Sequence, residues 1–554
     1  MRNAIVVVIC LAIGLAVLPG NGAAEQAASD QLAVEHGLVD AGTAHTCTVL
    51  AGGQVRCWGN GFFGALGYGN TQTIGDDEAP ATAGTVDLGG GRTARAIAAG
   101  GQHTCAVLDT SEVRCWGNGS SGKLGYGNTT AIGDNEPPGS AGPVDLGGAA
   151  KAITAGDKHT CAVLDSGDVR CWGDGGNGQL GYGNTKPIGD DETPGSVGPV
   201  DLGAGRTARA ISAGADHTCA VLDNGDVRCW GDGFAGVLGY ANTDKIGDGE
   251  TPGSVGPVDL GGRTAKAITA GTSHTCVVLD TDQVKCWGNG GQGRLGYGNT
   301  DTIGDTEKPS TVGTVDLGAG RSARGIAAGY EHTCALLDDG TVRCWGNGSI
   351  GRLGYGNSEA IGDNETPGSA GPVDLGAGRT ARAITTGQLH TCALRDDTAV
   401  VCWGSGADGR LGYGNVATIG DNETPGSVAV GPGGSTPPPG PPPPPPPGPA
   451  GKAKPRSLSL TARARRGRIV ASGTLALPAG ARCEGSVTVT ALRGRRTALR
   501  GNATLRRTRG ACRYQRTLST RRLRRGTRLT LKATFTGTQT VAGIASRARA
   551  VRTR

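Results

Sequence analysis

Large side chains are scarce in this sequence. Aromatic residues make up 4% of its 554 residues, and no segment spaces its apolar residues with the period of an amphipathic helix. With 102 glycines and 28 prolines, the composition suits short strands joined by many turns better than packed helices. Long apolar runs are missing after residue 24, so nothing later in the chain could span a bilayer. Residues 2–24 begin with Arg2, pass through IVVVICLAIGLAVL and end in NGAA. A basic start, an apolar stretch too short for a comfortable span and a small-residue end describe a signal peptide over residues 1–24, cut after Ala24. The protein is therefore expected to be exported, whether extracellular, periplasmic or held at the cell envelope. Acids are missing from one end. Residues 451–554 hold 27 Lys and Arg against the single acid Glu484, a charge of +26, which leaves −20 on residues 1–450 of a chain whose total is +6.

What is present is a repeat. The tripeptide HTC places cysteines at Cys47, Cys105, Cys161, Cys219, Cys276, Cys334 and Cys392, with separations of 58, 56, 58, 57, 58 and 58 residues. All 7 tryptophans, 7 of the 8 histidines and 7 of the 9 tyrosines belong to it. A fixed period of this kind signals a solenoid or a propeller. In the second unit VDL, TARAIAAG, HTCAVLD and EVRCWG are short strand-like runs between Gly-rich or polar turns, so four strands and one propeller blade per unit are expected. The seventh unit stops at GSVAVGPGG with no AIxAG run after it, while residues 38–42, LVDAG, precede the first HTC. The first strand is therefore expected to complete the last sheet. The expected fold is all-β: a seven-bladed β-propeller over residues 25–432, a Pro-rich linker over 433–455 and a small β-sandwich over 456–554.

The pattern GxxHTCALxxxGxVxCWGxGxxGxLG resembles the regulator of chromosome condensation repeat family, over roughly residues 38–430. The resemblance implies a seven-bladed propeller. The signal peptide, the cysteine pairs and an added LGYGNTxxIGDxET segment depart from the nuclear founder and are similar to exported bacterial members. By analogy the family offers guanine-nucleotide exchange, the founder's activity, and exported propellers of this fold offer inhibition of an enzyme such as a β-lactamase. Fold analogy alone carries either alternative.

Several stretches look chemical. Each unit holds two cysteines ten residues apart: Cys47–Cys57, Cys105–Cys115, Cys161–Cys171, Cys219–Cys229, Cys276–Cys286, Cys334–Cys344 and Cys392–Cys402. A hairpin turning between them sets the two cysteines opposite each other. In an exported chain with sixteen cysteines beyond Cys10, this predicts seven cross-strand disulfides. Each is worth about 2.5–3 kcal/mol by chain entropy before strain. Zinc fails on spacing, because no CxxC or HxxxH completes a ligand set. A Cys–His nucleophile needs one activated thiol rather than seven copies, so the histidines are expected to bond within their own blades and no enzymatic activity is expected. GxGxxG recurs from Gly59-Gly61-Gly64 to Gly404-Gly406-Gly409, but a turn follows it instead of a helix, which removes the dinucleotide reading. The IGDxE carboxylates, from Asp76/Glu78 to Asp421/Glu423, could offer oxygens to Ca²⁺. They lack the alternation of a known calcium loop and suit turns, so no cofactor is expected.

Positions that vary inside a rigid repeat are free to serve contacts. The pair after CWGxG reads Phe62-Phe63 in the first unit, Phe234-Ala235 in the fourth and Ser349-Ile350 in the sixth. The pair before HTC reads Tyr330-Glu331 and Gln388-Leu389 in the last two. Phe62, Phe63, Phe234, Tyr330, Ile350 and Leu389 are thus the candidate anchors for an unknown protein or ligand. In the basic end RLTLKATF alternates cleanly and SVTVTAL and RIVASGTLAL do so more weakly, which suggests an immunoglobulin-like sandwich with Cys483 and Cys512 paired. Arg463, Arg465 and Arg466, with Arg521, Arg522, Arg524 and Arg525, form clusters suited to an anionic envelope polymer or lipid headgroups. With only Tyr514 and Phe535 as aromatics, nucleic acid is a poor partner.

Overall fold

The computed structural model describes residues 37–428 and, in the basic part, 457–465, 468–476, 486–493, 496–504, 506–508, 511–519, 527–535, 544–545 and 549–552. Signal segment 1–24, Pro-rich segment 433–455, Cys483, Arg466, Arg521, Arg522, Arg524 and Arg525 lie outside the described residues. The chain divides into two compact units, Met1–Ser435 and Thr436–Arg554.

Among the described residues the first unit holds seven three-stranded antiparallel sheets, one per repeat. In the second repeat the inner strand is Ala94–Ala99, the middle strand His103–Leu108 and the outer strand Val113–Gly117. HTCAVL in the middle strand is buried at every position, because a sheet stacked between two others has no solvent face. That is why the middle strands read as continuous apolar runs instead of alternating ones. The inner strands touch in cyclic order, and the first, Val39–Ala41, meets both Ala94–Ala99 and Ala381–Thr386.

Two expectations need correction. The fourth strand of each unit is reduced to bridge points: Ile74 pairs with Gly59 and Val86 with Val55 along the outer strand. Between those points the chain detours through the LGYGN and IGDxE segments, and a tyrosine replaces the missing backbone. The Cys57 N–H donates to the Tyr68 hydroxyl at 3.0 Å, and that hydroxyl donates to the Cys57 carbonyl at 3.0 Å. The N–H half of this arrangement recurs in all seven repeats, so a buried edge keeps its donors paired. Secondly, Val39–Ala41 pairs with His45–Val49 in the first sheet and does not complete the last one. Side chains and a backbone bond from the Gln388 N–H to the Gly42 carbonyl at 3.4 Å close the ring. Thr385 donates to Asp40 at 2.7 Å and accepts the Ala41 N–H at 3.2 Å, while Asp40 also accepts the Ala99 N–H at 2.8 Å. Burial raises the Asp40 carboxyl to about 6 against the lowering effect of these bonds.

The second unit contains two five-stranded antiparallel sheets. Alternation places Ile469 and Ala471 from one, with Val487, Val489, Leu529, Leu531 and Ala533 from the other, in a single buried cluster. Cys512 is disulfide-bonded and belongs to that cluster. Among the described residues no helix is long and apolar enough to cross a membrane.

Candidate recognition face

The side chains that looked chemical are mostly fasteners between neighbouring sheets. Seven disulfides join the cysteine pairs of the hairpins, with Cα–Cα distances of 4.0–4.1 Å. The histidines bond between sheets and not within them, which corrects the expectation. His45 Nε2 lies 2.8 Å from Thr104 Oγ1 of the next repeat, and the series runs on until His390 Nε2 meets Thr46 Oγ1 at 2.8 Å. Each threonine hydroxyl spends its proton on a carbonyl of the preceding repeat, as Thr104 does on Ala65 at 2.9 Å. The hydroxyl must therefore accept from the imidazole, so each ring carries its proton on Nε2 and is neutral. Burial enforces this, holding His45 and His159 down to about 4 and His217 to about 3. Five of the seven indoles donate to the same carbonyls as the threonines.

The two loop motifs also meet across repeats. Gly64, third glycine of the first GxGxxG, has φ 76°, and a Cβ there would come within 2.1–2.2 Å of Gly133 and Asp134 in the next IGD segment. The same approach links Gly409 of the seventh repeat to Gly75 and Asp76 of the first. The apparent nucleotide loop and the apparent cation loop are two halves of one backbone contact. Within the IGDxE turn the Glu78 carboxylate accepts the Gly75 N–H at 2.9 Å. Among the described residues Asp76, Asp77 and Glu78, and likewise Asp190, Asp191 and Glu192, bring three carboxylates within 4.8 Å. Burial, then the neighbouring Asp77, raises the Glu78 carboxyl.

What remains free is the loop after CWGxG. Asn60 Oδ1 accepts the Phe62 N–H at 2.9 Å, an Asx turn that starts the 3-10 segment Phe62–Gly64. Phe63 at φ 57°, Ala235 at φ 55° and Ile350 at φ 55° all sit in the left-handed region, which is costly for bulky and β-branched residues. Phe62 and Phe234 are 65% exposed, Phe63 45% and Tyr330 37%, so these rings do not fill space between sheets. Ile350 and Leu389 are half-buried.

The structure brings two of the six anchors together. Phe234 and Tyr330 line one cleft of about 330 Å³, along with Asp216, Asn289, Arg294 and Glu331. Arg294 was not anticipated. Its buried guanidinium donates to the Gly291 carbonyl at 2.9 Å and to Ser273 Oγ at 2.9 Å and reaches Glu331 at 3.5 Å, which also faces Arg352 at 3.8 Å. The signal was available: the residue after the third glycine varies as Ala65, Lys123, Gln179, Val237, Arg294, Arg352 and Arg410. Phe62, Phe63, Ile350 and Leu389 lie outside that cleft. In the second unit Arg463 and Arg465 share an outward face of the strand Thr461–Arg465, and with Arg468, Ser472 and Gln515 they line a hollow of about 290 Å³.

The RCC1-like domain profile matches residues 96–435. The chain belongs to the RCC1-like domain family. Within it, the ultraviolet-B receptor UVR8 of Arabidopsis thaliana is 30% identical over 379 residues, which covers 68% of this chain and 78% of the receptor. The human E3 ubiquitin-protein ligase HERC2 is 29% identical over 377 residues, 67% of this chain and 7% of that much longer protein. Among solved structures, yeast RCC1 (Prp20) bound to Kap60 aligns with a TM-score of 0.53 at 19% identity, over 71% of this chain and 86% of that one. A second structure of Prp20p from Saccharomyces cerevisiae, described with its binding properties to Gsp1p and histones, gives 0.52 at 20% identity, over 73% and 89%. The RCC1-like propeller fold is thus shared, built here from three-stranded sheets.

Proposed function

We propose that this RCC1-like protein is an exported, non-enzymatic recognition scaffold, a closed seven-bladed propeller that binds a protein or ligand through its variable loops. The carrying observation is the contrast within each repeat. The invariant side chains are used up in contacts between sheets, whereas Phe62, Phe63, Phe234 and Tyr330 stand exposed, and Phe234 and Tyr330 line a ready cleft. Aromatic anchors held on a rigid frame lose little entropy on binding. RCC1-like propellers often mediate protein binding, and yeast Prp20p, which shares the fold, is described with binding properties to Gsp1p and histones. The seven disulfides suit an oxidising compartment. The second unit, read as an immunoglobulin-like sandwich behind a polyproline linker, serves as a tether to an anionic envelope surface through Arg463, Arg465 and the other basic clusters.

The test uses the whole chain. It is displayed against envelope and secreted proteins, and one captured partner is identified and titrated. Phe234→Ala with Tyr330→Ala, or Phe62→Ala with Phe63→Ala, should weaken that partner at least about tenfold. Unchanged affinity in both double variants would refute the loop reading. For the tether, Arg463→Glu with Arg465→Glu should reduce sedimentation with anionic vesicles at low salt and leave partner affinity intact.

A further inference from the structure

One face of the basic unit carries a pattern that positive charge alone does not explain. The strands Thr461–Arg465, Arg468–Ala476 and Ala511–Ser519 lie side by side in one antiparallel sheet. Ile469, Ala471 and Leu518 turn into the core, so alternation sends the residues between them to the opposite face. Register sets that face out in rows. Arg465 stands opposite Arg468, and in the next row Arg463, Val470 and Thr517 align. Thr461, Ser472 and Gln515 form the row after that, and Thr474 faces Arg513 in the last.

Three arginines therefore crowd one corner. Arg463, Arg465 and Arg468 are exposed and line the same hollow of about 290 Å³, although like charges directly opposite one another destabilise a sheet. Nothing local relieves them. Among the described residues none of the three guanidiniums is hydrogen-bonded or ion-paired, and the only acid in residues 451–554 is Glu484. An anion held between them replaces that repulsion with charge-assisted, bidentate bonds. The rest of the hollow is neutral and polar, with Ser472, Gln515 and Thr517 offering both donors and acceptors. Arg513 is exposed on the same face, four residues along its strand from Thr517 and so about 14 Å away. The one ring on these strands, Tyr514, is buried, with its hydroxyl on the Ser459 carbonyl at 2.7 Å.

We infer that this sheet face binds an acidic polysaccharide, with carboxylates on Arg463, Arg465 and Arg468, sugar hydroxyls on Ser472, Gln515 and Thr517, and the chain running toward Arg513. The inference rests on the tether reading and names the polymer that the tether holds. Clustered charge attracts any polyanion, but a row of hydroxyls and an amide beside it fits a ligand that carries hydroxyls as well as anions. A lipid surface calls for apolar side chains that can enter it, and Val470 is the one apolar residue lining the hollow. Single-stranded nucleic acid calls for exposed rings on which bases stack.

The experiment is titration calorimetry of the full chain with a short alginate oligosaccharide and with polyglutamate of equal charge, beside sedimentation with phosphatidylglycerol vesicles. The other bases of the unit attract every polyanion, so the ratio of alginate to polyglutamate affinity reads the site. The parent should favour alginate by at least about fivefold. Gln515→Ala with Thr517→Val should remove that preference and leave polyglutamate and vesicle binding unchanged. Arg463→Gln, Arg465→Gln and Arg468→Gln together should weaken all three by at least about tenfold. Arg513→Gln, a single exposed change outside the hollow, should weaken alginate with the melting temperature unchanged, and no loss there would overturn the extended placement. Equal affinity for alginate and polyglutamate, alginate binding untouched by Gln515→Ala with Thr517→Val, or tighter binding of a DNA oligonucleotide would overturn the polysaccharide. The tether reading would survive those results as long as the arginine variant loses vesicles. Parental binding of every anion by the arginine variant would overturn both.

Discussion

The two units reach a β fold by different means. The first repeats one set of contacts around a ring: a disulfide inside each hairpin, a His–Thr bond to the next sheet, and a tyrosine on each outer edge. The second relies on plain alternation, with one apolar cluster and a single described disulfide-bonded cysteine, Cys512. It holds no histidine and one acid, Glu484, and its remaining charged side chains are all basic. Stability in the first unit is therefore tied to redox state and pH, and in the second it is tied mainly to core packing and salt. The unit with the richer set of polar contacts should be the more sensitive one.

Reduction should separate the units most widely. Each of the seven small loops contributes about 2.5–3 kcal/mol by chain entropy, so dithiothreitol should lower the calorimetric transition of the first unit far more than that of the second. Equal shifts would mean that the disulfides are incidental to the ring.

Acid comes next. The histidines titrate near 6.5 when unfolded; in the ring burial holds His45 and His159 down to about 4 and His217 to about 3, and keeps His103, His274, His332 and His390 well below 6.5. The unfolded state therefore binds more protons below pH 6.5. The stabilising contribution is complete above that pH and is lost as pH falls toward 4. Asp40, raised to about 6 by burial, has the opposite sign, since its folded form is favoured below about pH 4 and disfavoured above 6. It is one group against seven. Thermal melts from pH 7 to 4.5 should show the first transition falling while the second, with no histidine to titrate, stays nearly level.

Single bonds sharpen the comparison further. Thr104→Val removes the acceptor for His45 and a donor to Ala65, and Tyr126→Phe strips the Cys115 N–H of its partner. Each should cost about 1–3 kcal/mol in chemical denaturation, the usual penalty for an unpaired buried polar group. The smallest effect should have the reverse sign. Phe63→Gly relieves the left-handed backbone at φ 57° and should stabilise the first unit by about 1 kcal/mol, even as it removes a candidate anchor.

Much of this was legible in local spacing. Cysteines ten positions apart make a hairpin whose ends must face each other, and a period near 58 residues makes one sheet per repeat. Exposed Phe62 and Phe234 could be picked out because they break an otherwise constant pattern. What spacing could not reveal was which sheet a side chain would address. His45 and Thr104 are 59 residues apart, and Arg294 meets Glu331 across 37. A β-bulge at Arg95 likewise depends on how Ala94 and Ala96 register against the neighbouring strand.

Sequence alone thus determined the repeat, the hairpins, the disulfide pairing of the first unit and the charge division, because each follows from neighbours along the chain. Only the tertiary structure decided that the histidines bond between sheets, that a tyrosine stands in for a fourth strand, and that Val39–Ala41 belongs to the first sheet. Those outcomes follow from stacking flat elements in a ring. A sheet buried on both faces must find partners for every polar group in its neighbours, and which neighbour is close enough is settled only when the ring closes.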